Sequence, residues 1–274
     1  MSEASVISQT EQLIGHAVMI ELLPASAQEV AACRWQELER QLGNTGLTNS
    51  WPWIKTWLDH YEDTVQPTFA FGLQDGQPIG AALIIRSRRS KLGFAVPAVY
   101  LGTAGEPKAE GAYVEYNRLL VAPEHLEAFA QALIVTVQRQ FRWSELWLMG
   151  FVPQHAEALL RAGAQAGLAF QVEQVPSPAF AFQPAAAGDN PDLLSTLGKN
   201  TRYHIRRSMR AFESAYGPER IEWAETPEQA RAILRELIQL HQRRWQQAGY
   251  PGAFPSERVK RFHEGLIDAL LLWP

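Results

Sequence analysis

Two β-rich runs, residues 69–73 and 79–86, face each other across Gln74-Asp75-Gly76-Gln77-Pro78. An Asp-Gly pair between such runs is a strong short-range hairpin signal, because the tight turn that matches strand twist needs positive φ at both central residues. The hairpin commits the first part of the chain to an antiparallel sheet, whose faces the flanking segments must then cover. Further strands are predicted at 16–23, 98–102, 113–121, 145–149, 170–174 and 179–182. Helical patterns fall between them. One runs from Ser26 as cap to about Leu42, with Val30, Cys33, Leu38 and Leu42 on its apolar face and Gly43-Asn44 as its stop. A second opens at Ser50-Trp51-Pro52-Trp53, and others cover 123–141 and 154–166. Trp53, Ile54, Trp57, Leu58 and Tyr61 recur at helical spacing, the pattern of a buried face rather than of a ligand platform. This order of elements predicts a mixed α/β fold, a mixed sheet flanked by helices.

With 274 residues, 46% apolar and 20% charged, the chain can bury a substantial core, and its composition is not that of a disordered polymer. It contains no apolar run near the roughly 18 residues that a membrane-spanning helix needs. Residues 1–20 lack the basic and uninterrupted apolar regions of a secretory signal, and the single Cys33 cannot form an internal disulfide. A cytoplasmic protein is expected. The formal charge of −4 is unevenly spread: residues 1–190 hold 12 basic and 19 acidic groups, residues 191–274 hold 13 and 10. That asymmetry predicts a first domain at 1–183, a small-residue linker at 184–191, and a second unit at 192–274.

The second unit begins with Asn190-Pro191, a cap followed by proline. After Gly198, the spacing of Ile205, Met209, Phe212 and Tyr216 predicts one apolar helix face. Arg202, Arg206 and Arg210 form a cationic ridge beside it, broadened by Lys199 and Arg207, and no acidic residue lies between Asp192 and Glu213. Such a ridge is either a solvated surface or a contact for phosphate, pyrophosphate or carboxylate. A short strand is predicted at 221–224, followed by a capping box, Thr226-Pro227-Glu228-Gln229, that starts a helix to about Ala248. Ala230, Ile233, Leu234, Leu237 and His241 share its apolar stripe, with Trp245 one turn on. His241, with Arg244 three residues later, reads as a core histidine or as an acid/base group. Ser256 caps a last helix with Phe262, His263, Leu266, Ile267 and Leu270. Each unit opens with strand, long helix, glycine-containing loop and shorter aromatic helix, and only the first goes on to a full sheet. The expectation is a duplicated domain whose second copy is cut short.

Several runs together resemble GNAT-type acyltransferases of the CelD/FemAB-like group: Lys199-Asn-Thr-Arg-Tyr-His-Ile-Arg-Arg207, Leu240-His-Gln-Arg-Arg-Trp245, Gly252-Ala-Phe254, Phe262-His263 and, in the first unit, Tyr113-Val-Glu-Tyr-Asn117. Each is weak alone; their order and spacing make the set specific, and it covers the chain from Trp51 to His263. The resemblance implies tandem GNAT-like domains, with acyl transfer from acetyl-CoA or another acyl-CoA to an amine or hydroxyl of a cell-envelope or polysaccharide precursor. In the FemAB branch the donor is aminoacyl-tRNA. It further implies Glu115 and His241 as acid/base candidates. Arg202, Tyr203, Arg206, Arg207, Arg244 and Trp245 become candidate contacts for an anionic substrate or donor.

This chemistry needs a cradle for the donor pyrophosphate, usually a glycine-rich turn opening a helix. The first unit instead reads Ala122-Pro123-Glu124-His125-Leu126 at that place, which implies that it does not hold coenzyme A in the usual way. The chain shows no Cys/His cluster at metal spacing, no phosphate-binding loop of the P-loop type and no Gly-x-Ser-x-Gly elbow. Neither a metal nor DNA is an expected partner. An RNA-binding module or a catalytically silent scaffold is the alternative from a different class.

Overall fold

The computed structural model of the chain describes residues 18–43, 45–173 and 193–271. Among them one mixed sheet forms from β1 (Met19–Pro24), β2 (Gln66–Gln74), β3 (Gln77–Lys91), β4 (Phe94–Leu101), β5 (Leu120–Val121) and β6 (Glu145–Leu148). Asp75 and Gly76 take φ of 51° and 76°, so the β2–β3 turn has the handedness the sequence predicts. β1 to β4 pair antiparallel in chain order, and β6 adds parallel to β4. β5 joins the edge of β3 at Gly80 and Ala81, beyond the stretch 84–91 that β4 occupies.

Eight helices lie among the described residues: α1 (Gln28–Leu42), α2 (Trp51–Tyr61), α3 (Leu126–Gln140), α4 (Pro153–Gln165), α5 (Leu193–Thr196), α6 (Lys199–Tyr216), α7 (Pro227–Gln247) and α8 (Glu257–Leu271). By packing, the chain divides into two compact units. One runs through Phe170 and resumes at Thr226; the other is Gln171–Glu225. The expected linker at 184–191, the Asn190-Pro191 cap and the strand predicted at 179–182 lie outside the described residues.

In the first unit the sheet is covered on both faces, as the alternation of side chains along a strand allows. Ala81, Leu83 and Ile85 of β3 join a cluster with Trp35, Trp57, Phe69 and Phe71, whereas Ala82 and Ile84 face Phe129, Leu133 and Leu159 of α3 and α4. The tryptophan-rich face of α2 is core, as its spacing predicts: Trp51, Trp53, Ile54, Trp57, Leu58 and Tyr61 are all buried. Ser50 accepts a hydrogen bond from Trp53 N and caps that helix. α8 belongs to the same cluster. Its Phe262 is fully buried, edge-on to Trp53 at 5.0 Å and 6.2 Å from both His60 and Tyr61. Arg258, one turn before, reaches both carboxylate oxygens of Asp63 at 2.7 and 2.9 Å, the His60 carbonyl at 3.0 Å and Glu110 at 3.2 Å. Arg231 pairs with Asp268 and ties α7 to α8.

Five local expectations are corrected. α1 buries Ala31, Trp35 and Leu38, while Val30 and Cys33 are exposed, because the sheet lies on the Trp35 side. It also starts after a 3-10 turn at Ala25–Ala27, so Ser26 is not its cap. The strand expected at 113–121 shrinks to Leu120–Val121, since Tyr113 and Tyr116 take φ of 47° and 54° and break the extended run. Residues 170–173 and 221–224 form no strand, having no ladder partner among the described residues.

Candidate functional site

The ends of β4 and β6 meet at Asn117. This fully buried amide donates to the carbonyls of Leu101 and Met149 at 3.0 and 3.1 Å. Its backbone N–H reaches Gly150 O at 2.8 Å and its carbonyl accepts from Val152 N at 2.9 Å. One polar side chain therefore closes the ends of two parallel strands, the edge of an open sheet where ligands commonly bind. Gly150 has φ of 64° there, and a Cβ on it would sit 2.3 Å from the Val114 carbonyl, so the loop 113–116 lies directly over this glycine.

Glu115 rides on that loop. It is exposed between Tyr113 and Tyr116, themselves 66% and 67% exposed. Presenting two tyrosines from left-handed backbone costs of order 1–3 kcal/mol each, strain that a rigid support such as Asn117 can hold. Glu115 is thus displayed on a loop, where the sequence predicts a strand.

His241 lies elsewhere in the first unit, on α7. Its ring packs against Phe254 at 5.4 Å and Trp245 at 5.9 Å, and Nδ1 lies 3.3 Å from Gln242 Oε1. Gln242 binds the following loop through Pro251 O and Phe254 N, at 2.9 and 3.2 Å. His241 and Trp245 are brought together as predicted, in an aromatic cluster that also includes Tyr250. Arg244 is exposed and forms no ion pair among the described residues. Glu115 and His241 share no hydrogen bond among the described residues.

The ridge belongs to the second unit. α6 forms over Lys199–Tyr216 with no buried residue, and Arg202, Arg206, Arg207 and Arg210 make no ion pair among the described residues. Arg202 donates to Ser195 O at 3.4 Å and Tyr203 is 56% exposed beside His204. Gly198 caps the helix without a side-chain bond, with Lys199 and Arg202 in the turn that follows. That combination attracts anions.

The geometry of the turn before α3 argues against a pyrophosphate cradle there. Pro123 has no N–H, and His125 N is spent on Ala122 O at 3.0 Å within the 3-10 turn Pro123–His125.

The shifted titrations in the first unit belong to groups the sequence does not single out. Burial raises the Glu39 carboxyl to about 7 against a hydrogen bond from Trp51 N, and burial likewise raises Glu106 and Tyr61. Burial, helped by the Arg118 charge, lowers His155, whose Nδ1 accepts from Leu119 N at 3.1 Å. Asn117 and Arg118 had one local signal, polar residues heading the apolar run Leu119-Leu-Val121. His155 had none, because its neighbour is 36 residues away. Among the described residues no three His, Cys, Asp or Glu side chains gather, and no helix is long and apolar enough to cross a membrane.

Residues 199–272 match the model of the acetyltransferase (GNAT) domain, about a quarter of the chain and the whole of α6, α7 and α8. The mixed sheet flanked by helices is consistent with a GNAT-like fold. No curated protein matches the chain.

Proposed function

We propose that the protein is an acyltransferase that moves an acyl group from acyl-coenzyme A to an amine or hydroxyl of a cell-envelope or polysaccharide precursor in the cytoplasm. The observation that carries this reading is the GNAT acetyltransferase domain at 199–272, whose first helix carries a cationic ridge with no ion pair among the described residues. In this reading residues 1–183 and 192–274 are tandem GNAT-like domains joined by 184–191. Arg202, Arg206 and Arg207, with Tyr203, meet the anionic part of the donor or acceptor; Arg244 and Trp245 are the candidate substrate contacts on α7. Glu115 takes the proton from the attacking amine or hydroxyl as the carbonyl carbon passes from sulfur to nitrogen or oxygen, and the departing thiolate is reprotonated. His241, wrapped by Phe254 and Trp245, keeps its aromatic cluster in place and serves as the second acid/base candidate.

The same ridge and exposed Tyr203 favour one second reading, a FemAB-like aminoacyltransferase that takes its donor from tRNA. Two measurements on the full chain separate them. Coenzyme A that raises the melting temperature, with no salt-sensitive retardation of tRNA in a gel, supports the acyl-CoA reading. Retardation without coenzyme A protection supports the tRNA reading. Neither effect leaves a binding scaffold and sinks both.

A further inference from the structure

We infer that Arg118 anchors a binding site for a small anionic group, carboxylate or phosphate, between the loop 45–49 and the start of α4 in the first unit. The inference does not depend on acyl transfer.

Arg118 follows Asn117 into β5, and its guanidinium donates no hydrogen bond and forms no ion pair among the described residues. Nε is buried without a partner. A guanidinium partly withdrawn from water with no acceptor is costly, whereas the same group facing an anion is not. The backbone that carries Arg118 is held by neighbouring polar side chains. Asn49, itself buried, donates to the Arg118 carbonyl at 2.7 Å, and Thr48 reaches the Tyr116 carbonyl at 3.5 Å. Arg118, Asn49, Thr48, Thr103 and Phe151 line a hollow of about 10 Å³. That is room for about one water, too little for a phosphate, so the anion sits at the open side.

Three features make the open side suit a negative group. Gly46 packs beside the guanidinium: a Cβ there would stand 3.7 Å from Cζ and Nε, so glycine leaves more room than a larger side chain would. His155 accepts from Leu119 N through Nδ1, which puts its ring proton on Nε2 as a further donor. His155 also stands in the first turn of α4, a helix of 13 residues that begins after Val152 with no side-chain cap. The positive end of the helix thus adds to the arginine. A planar guanidinium fork fits two oxygens of one carboxylate or phosphate.

The test is a thermal-melt titration of the full chain with inorganic phosphate and, separately, acetate, at ionic strength held constant with potassium chloride. A rise that grows with the logarithm of ligand concentration, about 3–6 °C at tenfold the dissociation constant, is expected. Arg118→Met should abolish the rise. Response to phosphate alone assigns a phosphate group; response to both extends the site to carboxylates. No rise, the same rise in potassium chloride alone, or an equal rise in Arg118→Met overturns the inference. Should Arg118→Met fail to fold, the Arg118 Nε–Hε resonance of the wild-type chain decides: it must move on phosphate addition, and a peak that stays put overturns the site.

Discussion

Phe262 shows how much depends on single side chains of the C-terminal helix. It is fully buried against Trp53, His60 and Tyr61, so Phe262→Ala leaves a cavity that the surrounding aromatic rings cannot close. A loss of about 3–5 kcal/mol in denaturant unfolding is expected, and a loss below about 1 kcal/mol would show that α8 does not pack there. Glu39 gives a pH dependence of definite sign. Burial lifts its folded carboxyl to about 7, so the fold favours the protonated form. Its contribution is complete below the unfolded value near 4.5 and is lost as pH rises through about 7. The stability difference between wild type and Glu39→Gln should therefore shift against wild type between pH 5 and 8. A difference that is flat over that interval contradicts the burial of this group. Glu115→Gln bears on the chemistry: it should fold normally and lower turnover roughly 10²–10⁴-fold, and unchanged turnover removes Glu115 from the proton transfer.

At the scale of elements, what was legible in the sequence was local chemistry. The Asp75-Gly76 turn, the Ser50 cap, and the Thr226 capping box with both of its hydrogen bonds form where residue types alone place them. Thr226→Ala should cost about 1 kcal/mol, read as a shift of the unfolding midpoint without a change in slope. The buried face of α2 was legible too, because five large apolar residues at helical spacing have one economical arrangement. The segment 113–116 was not. Its alternation reads as a strand, but the long-range bonds of Asn117 to Leu101 and Met149 fix a path that left-handed tyrosines must follow. The face of α1 was misread for the same kind of reason, since Val30 and Ala31 both fit an apolar stripe and only the position of the sheet chooses between them. The α6 ridge was legible as a pattern, and its arginines form no ion pair among the described residues. Charge reversal by Arg206→Glu should raise the KM for the anionic substrate while leaving folding intact; an unaltered KM places that substrate elsewhere.

For the molecule as a whole, the mixed sheet with helices on both faces followed from the order of strands and helices, and the structure has that architecture. Charge and linker composition follow sequence order, and packing in this chain does not. Thr226 onward folds with the residues through Phe170, held by Phe262, Leu266 and the Arg258 bridges to Asp63 and Glu110. The sequence also offered no hint of Arg118 and His155 as neighbours, since their meeting depends on how β5 and α4 close around Asn117. The proposed activity rests on the acetyltransferase domain at 199–272. Its most direct test is the acceptor-dependent release of free thiol from acetyl-coenzyme A by the full chain, with amine- and hydroxyl-bearing saccharides as acceptors and product mass read in parallel. The account predicts thiol release with a matching acetyl mass increment on one acceptor class. Acetyl-coenzyme A left intact with every acceptor, while aminoacyl-tRNA yields an aminoacylated product, would contradict it.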